Sequence, residues 1–325
     1  MGALTGRVKI RATTVGRSGW ALSRELARRH TGDRPRPAPW DSSVVDDIAD
    51  NRPWNLVVRA LRCRARMRLR GLRPGSTVVI VNWNTAPLLR VVVPMVVARS
   101  SADVAVMVVD NGSSDDSVGY ARSLGARVRC LRLPTNVGHA IALDIATLVC
   151  RTEVVVTLDS DAFPIDDGWL DVVRAPLRTG AVVAGLRSSR SFVHPVFMAV
   201  DVAAFVRERL SFQLHRTDHP GEEELWGVNR WDTAELLSSR VGPERLGFLE
   251  PRPRRDLGLP GMTVGGVVYH HGGMSRDASG RQLTPAAIEG FERAVEALTG
   301  RPVSARPRSD DDKASGSGAI RGQHS

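Results

Sequence analysis

From Ser76 onward, short runs of β-branched and other apolar residues alternate with stretches of helical periodicity. In chain order these segments predict strand, helix, strand, helix, strand, helix and strand at 77–81, 86–99, 104–109, 114–124, 127–133, 138–149 and 153–158. Strands that are apolar almost throughout and are separated by helices are typical of a parallel sheet covered on both faces. The sequence therefore predicts an α/β fold with a mostly parallel sheet flanked by helices.

Charge and composition divide the chain into three segments. Residues 1–75 carry 17 Lys and Arg against 6 Asp and Glu, whereas residues 76–325 carry 28 against 29. We predict an arginine-rich extension over 1–75, one α/β domain over 76–300, and a disordered tail over 301–325 that has little to bury. Thr284 and Pro285 predict the N-cap and first turn of the domain's last helix.

Targeting and redox features are sparse. The N-terminal residues lack the apolar core and small-residue cleavage site of a secretory signal, and charged residues or proline interrupt the longest apolar stretches. Cys63, Cys130 and Cys150 lack the spacing of a zinc site and predict buried, reduced thiols. We expect a cytoplasmic protein.

Polar side chains follow the predicted strands where each strand ends. Asn82 and Asn84 follow the first strand, Asp110 and Gly112 the second, and Asp159 the fourth. The third helix opens on Asn136 and Gly138, where a glycine permits close approach of a ligand to the backbone. Because ligands of open α/β sheets bind beyond the carboxyl ends of the strands, we expect these groups to share one crevice.

Asp159-Ser160-Asp161 directs two carboxylates to the same side if the segment is extended, since side chains alternate along a strand. Carboxylates together with substrate phosphates are the ligands that Mg²⁺ or Mn²⁺ prefers. The pair predicts a divalent cation and a phosphorylated donor. An isolated Asp-x-Asp is weak evidence, and its position after a buried strand gives it weight.

Structural explanations exist for several of these residues. Asp-Asn-Gly-Ser is good turn chemistry, and Ser113 or Ser114 could cap the next helix while Asp110 binds a nucleobase. Asn82 and Asn84 could simply satisfy backbone groups. The sequence alone does not decide between a structural role and ligand binding for these residues.

Taken in order, four motifs resemble the family 2 glycosyltransferases of the GT-A fold. They are Val79 to Asn84, Val109 to Asp115, Asn136-x-Gly138, and Leu158 to Asp161. The resemblance implies an inverting, hexosyltransferase-type enzyme that uses a nucleotide-sugar donor and a Mg²⁺ or Mn²⁺ ion. It implies that Asp110 contacts the base, Asp159 the ribose or the metal-bound phosphates, and Asp161 the metal.

Two later segments fit the same resemblance. The segment from His194 to Asp201 is similar to one that lines the donor or acceptor site. His270 and His271 resemble a late histidine motif that completes the metal site in related enzymes, and an imidazole is a reasonable Mn²⁺ ligand. The sequence does not separate the two histidines.

The sequence departs from the family where a Glu-Asp pair usually supplies the catalytic base. Asp232 is our candidate for the carboxylate that takes the acceptor proton, with Glu222, Glu223 and Glu224 as rivals. The structural explanation for Asp232 is a helix N-cap. Asp144, where many relatives carry asparagine, is a second departure. A non-catalytic nucleotide-sugar-binding or membrane-surface module on the same fold is therefore the alternative function.

Residues 55–73 predict a basic amphipathic helix. Arginines and apolar residues each recur at three- and four-residue steps, the first at Arg59, Arg62, Arg66, Arg70 and Arg73 and the second at Val58, Leu61, Ala65, Leu69 and Leu72. Such a helix either lies on an anionic membrane, within reach of a lipid-linked acceptor, or packs its apolar stripe on the domain. A glycan or a small molecule are the other acceptor classes. We do not expect nucleic-acid binding, because interleaved aromatic residues are missing.

Overall fold

The computed structural model describes residues 52–213, 232–272 and 283–300. The helices are α1 to α8 in chain order, at Arg52–Arg68, Ala86–Ala98, Ser117–Ser123, His139–Val149, Trp169–Arg178, Val202–Arg207, Glu235–Val241 and Pro285–Thr299. The strands are β1 to β11, at Arg73–Asn82, Ala105–Asp110, Val128–Arg132, Thr152–Leu158, Ala162–Pro164, Val183–Arg187, Val193–Asp201, Leu246–Leu249, Pro251–Pro253, Met262–Val264 and Val268–His270. Short 3₁₀ turns lie at Leu69–Gly71, Pro243–Arg245 and Arg255–Leu257.

Seven strands form the main sheet, in the order β3-β2-β1-β4-β7-β6-β8. Strands β3, β2, β1 and β4 are parallel neighbours, and β6 is parallel to β8. Only β7 among the strands of this sheet runs antiparallel to both of its neighbours, β4 and β6. The predicted α/β class with a mostly parallel, helix-flanked sheet is confirmed.

A second, antiparallel sheet has the order β5-β11-β10-β9. Its strand β5 begins directly after Asp161, and β11 pairs with β5 so that His270 lies opposite Ala162. The sequence pattern did not predict this sheet, because its strands are only three residues long and show no clear period. The small sheet brings the late part of the chain back to the end of β4.

Two apolar layers cover the main sheet, one on each face, because alternate strand residues point to opposite sides. Val78 and Ile80 belong to the layer that includes α2, α5 and α8. Val79 belongs to the opposite layer, which includes α1, α4, α6 and α7. The last helix matches its prediction, since the Ala287 N–H donates to the hydroxyl of its N-cap, Thr284, at 3.2 Å.

Three predictions differ from the structure in detail. The helix predicted from residue 114 begins at Ser117, because the Asp115 carboxylate accepts hydrogen bonds from the Ser117 N–H and hydroxyl and holds the preceding residues in a loop. Cys63 is exposed on α1, whereas Cys150 is buried as expected. The compositional boundary at residues 74 and 75 falls inside β1, and the predicted tail at 301–325 lies outside the described residues.

The basic helix α1 packs on the domain with its apolar side. Trp54, Val58 and Ala65 are buried in the layer formed with α4 and α6. The guanidinium group of Arg62 donates to the carbonyl oxygens of Phe205 and Leu210, at 3.0 and 2.7 Å. Of the two alternatives for this helix, packing on the domain is observed. Among the described residues no helix combines the length and the apolar character that a bilayer crossing requires.

Asp144 in the middle of α4 anchors the chain that follows α6. Its fully buried carboxylate accepts hydrogen bonds from the Ser211 hydroxyl at 2.6 Å, the Phe212 N–H at 2.9 Å and the Gln213 amide at 2.9 Å. Burial raises the pKa of Asp144, and the Arg62 charge and the three donors oppose that rise. The carboxylate thus fixes residues 211–213 against α4.

Replacement of Asp144 by alanine should lower the free energy of unfolding by about 2 to 4 kcal/mol, because three buried donors lose their acceptor. Asp144→Asn keeps one acceptor oxygen and should cost less. Urea denaturation of both variants measures the difference. Equal stability of the alanine variant and the wild type would show that this network does not hold the segment.

Candidate functional site

The carboxyl ends of β1, β2 and β4 meet at one edge of the main sheet. Asn82 and Asp110, the last residues of β1 and β2, are register partners. Strand β4 runs parallel to β1 on its other side and leads directly into Asp159. The polar groups predicted to share a crevice therefore lie along one edge.

The Asn82 and Asp110 side chains form a buried network. The Asn82 amide donates to Asp110 Oδ1 at 3.3 Å and to Ser113 Oγ at 3.1 Å, and Thr85 Oγ1 donates to Asn82 Oδ1 at 2.5 Å. Asp110 Oδ2 accepts the Ser113 N–H at 3.2 Å and lies 3.9 Å from Arg132 Nε. Both residues are fully buried. Asp110 holds the turn through the Ser113 N–H, as considered from sequence, whereas the Asn82 side chain bonds other side chains and not the backbone groups considered for it. The contact of Asp110 with a base stays a prediction.

Asn84 connects the loops that follow β1 and β2. Its backbone is left-handed, with φ of 55°, a conformation that asparagine tolerates better than most residues. Its Oδ1 accepts the Ser114 N–H at 2.8 Å, and its own N–H donates to Ser113 Oγ at 2.9 Å. The side chain predicted to bind a donor thus also braces the two loops.

Gly112 and Gly138 need glycine for different reasons. A Cβ atom on Gly112 would lie 2.5 Å from the Thr135 carbonyl carbon, so the β2 loop touches the backbone before α4. Gly138 has φ of 89°, and a Cβ atom there would have nothing within 4 Å. The first glycine allows two loops to pack, whereas the second gives an open approach to the start of α4.

Asn136 fixes the turn into α4. Its Oδ1 accepts the Gly138 N–H and the Asn111 amide, both at 2.9 Å. Asn111 Oδ1 in turn accepts the Val137 N–H at 2.9 Å. Asn111 was not among the predicted site residues, and its place beside Asp110 was the available signal. These two asparagines hold the loops after β2 and β3 together.

Asp159, Asp161 and His270 converge at the end of β4. One ligand atom from each lies within 4.8 Å of the others. His270 Nε2 lies 3.4 Å from Asp161 Oδ1, and the Asp161 side chain is only 4% exposed, compared with 23% for Asp159. The Asp161 carbonyl also accepts the His271 N–H at 3.1 Å, which ties β11 to this segment. The partly open Asp159 leaves the group accessible from the crevice.

The donor set fits a divalent cation. Two carboxylates and an imidazole suit Mn²⁺, and the carboxylates alone suit Mg²⁺. His270 Nδ1 is buried with no hydrogen-bond partner among the described residues, while Nε2 faces Asp161. Burial lowers the pKa of His270, but the nearby carboxylates of Asp161 and Asp159 outweigh burial and raise it overall. The site therefore attracts positive charge.

His271 points away from the carboxylates. Its Nδ1 lies 3.2 Å from the Tyr269 hydroxyl, and its ring packs edge-on against Phe291 of α8. Burial lowers the pKa of His271, which favours the neutral ring. The structure thus separates the two histidines. His270, the last residue of β11, joins the aspartates, whereas His271, directly after the strand, faces the other side and belongs to the core.

His139 and Trp83 line the same cleft as Asp159 and Asp161. His139 is the first residue of α4, and its Nε2 lies 3.8 Å from Asp159 Oδ1. Neither residue was among the predicted site residues. The signal for His139 was its position directly after the Asn136-x-Gly138 motif, at a helix N-terminus.

Asp232 lies against His194 of β7. His194 Nδ1 accepts the Val196 N–H at 3.2 Å, so Nε2 carries the proton of the neutral ring and faces Asp232 Oδ2 at 3.5 Å. The Val196 carbonyl accepts the Asp159 N–H at 3.0 Å, which links this pair to the end of β4. Burial alone raises the pKa of Asp232, but His194 and the Thr233 N–H outweigh it and hold the pKa below its usual value.

Asp232 also takes part in the turn before α7. Its Oδ1 accepts the Thr233 N–H at 2.7 Å, and its own N–H donates to Glu235 Oε2 at 2.8 Å. Glu235 is held in place by a buried ion pair with Arg190, at 2.6 Å. Asp232 is not the helix N-cap expected as its structural role, because the N-cap position of α7 is Ala234. The Asp232 carboxylate instead holds the turn before the helix through Oδ1, and Oδ2 is directed at His194. The rivals Glu222, Glu223 and Glu224 lie outside the described residues.

Many solved structures are similar to this chain, including the following three. S. aureus TarS 1–349 in complex with UDP-GlcNAc aligns at 14% identity and a TM-score of 0.43, over 69% of this chain and 66% of that chain. Mannosyltransferase PcManGT from Pyrobaculum calidifontis, in complex with GDP-Man and Mn²⁺, aligns at 17% and 0.36, over 48% and 56%. Glucosyl-3-phosphoglycerate synthase from Mycobacterium tuberculosis, in complex with Mn²⁺ and UDP-glucose, aligns at 18% and 0.38, over 61% and 78%.

Another structure of S. aureus TarS 1–349 aligns over 42% of this chain and 50% of that chain, so the match spans about half the length of that protein. No curated protein matches this sequence. The model of the family described as Glycosyl transferase family 2 matches residues 77–227, which run from β1 past β7 and include the Asp159-Ser160-Asp161 segment. Residues 77–227, just under half of this chain, are therefore similar to glycosyl transferase family 2, and they lie on a mostly parallel sheet.

Proposed function

We propose that this protein transfers a sugar from a nucleoside diphosphate-sugar to an acceptor hydroxyl, with inversion at the anomeric carbon and with the help of Mg²⁺ or Mn²⁺. The observation that carries the proposal is the convergence of Asp159, Asp161 and His270 at the crevice of a family 2 sheet. A hexosyl donor is the class we expect. The reaction would take place in the cytoplasm.

Asp159, Asp161 and His270 would hold the cation. When bound, such an ion neutralises the charge that develops on the departing diphosphate. His139, the first residue of α4, lies beside Asp159 at this end of the crevice. The N-terminus of α4 would therefore face the diphosphate, and a helix N-terminus favours an anionic group. The open backbone at Gly138 allows phosphate oxygens to approach this helix.

Asp232 would act as the general base. Its Oδ2 takes the proton of the acceptor hydroxyl while the hydroxyl oxygen forms a bond to the anomeric carbon, and the bond from that carbon to the diphosphate breaks. Because attack and departure take place on opposite faces of the sugar, the configuration inverts. The lowered pKa keeps Asp232 ionised at neutral pH, so the base is ready without prior deprotonation.

His194 would position this base. It contacts Asp232 Oδ2 through Nε2 and is itself oriented by the Val196 N–H. The remaining predicted donor residues, Asn82, Asn84, Asp110, Gly112 and Asn136, shape the loops that would receive the nucleoside. The acceptor is a hydroxyl on a glycan, a lipid-linked molecule or a small molecule.

Removal of the His270 imidazole should weaken Mn²⁺ binding at least about tenfold, because outer-shell changes alone already cost that much at metal sites. Titration calorimetry with Mn²⁺ on His270→Ala measures the loss. His271→Ala is the matched control: it should lower stability through its core contacts and leave Mn²⁺ affinity unchanged. The reverse ranking would assign the metal to His271.

Asp161→Ala should abolish Mn²⁺-dependent hydrolysis or transfer in a screen of nucleotide-sugars. Asp161 is the least exposed of the three residues proposed to hold the cation, and the substitution removes its carboxylate. Unchanged turnover in this variant would exclude the metal assignment.

Asp232→Asn should reduce the transfer rate by roughly 10²- to 10⁴-fold, the usual contribution of a general base, while donor affinity stays unchanged. Initial-rate measurements test the loss of transfer, and thermal-shift titration with the donor tests whether donor affinity is unchanged. Donor binding by the wild type without turnover on a broad acceptor panel would instead favour a non-catalytic nucleotide-sugar-binding module.

His194→Ala should move the acidic limb of the pH–rate profile to higher pH. A base works only when deprotonated, and loss of His194 removes the contacts that lower the pKa of Asp232. His194→Gln keeps an N–H donor and should shift the limb less. A His194→Ala profile that coincides with the wild type would show that His194 does not act through Asp232.

A further inference from the structure

The outward face of α1 carries an apolar strip that the packing of the helix does not use. Leu56, Ala60, Cys63 and Met67 are spaced by four, three and four residues, which places them on one side of a helix, and all four are exposed. Leu56 is 54% exposed and Met67 is 79% exposed. Among the described residues only one other large apolar side chain, Leu257, is exposed. This outward strip lies opposite the buried Trp54, Val58 and Ala65.

Arginines border the outward strip. Arg59 and Arg66 lie one helical turn after Leu56 and Cys63, and both are exposed. Residues 55–71 contain six arginines and no aspartate or glutamate. Two of the six, Arg62 and Arg68, donate to carbonyl oxygens of the domain and secure the helix. The helix itself therefore contributes only positive charge beside the strip.

A cavity of about 230 Å³ opens at the C-terminal end of the strip, beside Met67. It is lined by apolar residues of α1 and α6 together with Arg68 and Arg151. Burial lowers the pKa of Arg68, and the charges of Arg151 and Arg64 lower it further, which shows that positive charge is concentrated there. An anionic group at this cavity would relieve that repulsion.

We propose that the outward face of α1 docks on a membrane surface that contains anionic phospholipid, with Leu56 and Met67 inserted between headgroups and the bordering arginines paired with phosphates. An apolar strip bordered by arginines on a helix fixed to a folded domain is the arrangement of an interfacial helix. Nucleic acid would match the charge and leave the apolar strip exposed. This inference is independent of the glycosyl transfer proposed above, because none of its residues belongs to the crevice.

Vesicle sedimentation with the full chain tests the charge requirement. The wild type should bind vesicles of phosphatidylcholine with phosphatidylglycerol and should bind pure phosphatidylcholine vesicles much more weakly. Arg59→Glu with Arg66→Glu should reduce the partition coefficient at least about 25-fold, since each arginine near the surface contributes about fivefold. The matched control, Arg122→Glu with Arg255→Glu, changes the net charge equally at exposed positions away from α1 and should bind more tightly than the α1 variant.

Insertion of the strip is tested separately. Leu56→Ser with Met67→Ser should weaken vesicle binding at least about tenfold while thermal stability stays unchanged, because both side chains are exposed in the folded protein. An environment-sensitive fluorophore on Cys63, in a Cys130→Ser background, should shift to shorter wavelength when anionic vesicles are added. The buried Cys150 should not react with the fluorophore.

Three outcomes would overturn the proposal. Vesicle binding that survives both double substitutions would place the contact in another part of the chain, such as residues 1–51. Binding to single-stranded RNA that needs Arg59 and Arg66, without vesicle binding, would assign the face to nucleic acid. A dimer in sedimentation velocity that Leu56→Ser with Met67→Ser dissociates, without vesicle binding, would make the strip an interface between copies of this chain.

Discussion

The pairing of β5 with β11 is the contact on which the candidate metal group depends. Asp159 and Asp161 come from the end of β4, but His270 reaches them only because β11 runs antiparallel beside β5 and its His270 lies opposite Ala162. The hydrogen bond from the His271 N–H to the Asp161 carbonyl extends this pairing to the aspartate itself. A second, small sheet therefore completes a site that the main sheet begins.

The same pairing explains why adjacent histidines have different environments. His270 ends β11 and His271 directly follows it, and the two side chains face opposite sides: His270 turns to the carboxylates and His271 to Tyr269 and Phe291. Their pKa values move in opposite directions for this reason: carboxylates raise the pKa of His270, whereas burial lowers that of His271. A proton on His270 and a divalent cation satisfy the same excess of negative charge, so the two compete for this position.

The sequence predicted the parts of the fold that have a strong period and left out those that do not. The strands and helices from β1 to β4 were recognisable because apolar strand runs alternate with segments of helical period, and the strand-end residues Asn82, Asp110 and Asp159 followed from that order. Three-residue strands such as β5 and β11 carry no period, so the sequence alone left His270 and His271 equivalent. The sequence also could not show that Asp110 is buried and holds a turn, because an Asp-Asn-Gly-Ser segment suits a turn and a ligand site equally well.

Helix α4 connects the crevice to the basic helix α1. Its first residue, His139, lies beside Asp159, and its central residue, Asp144, holds the segment that follows α6. Near its C-terminal end, the Leu148 carbonyl accepts a hydrogen bond from the Arg68 guanidinium at 2.8 Å. Because a helix of this length is stiff, a surface bound by the outward face of α1 keeps a fixed position relative to the cleft at His139. One element therefore sets the distance between the proposed docking face and the cleft at His139.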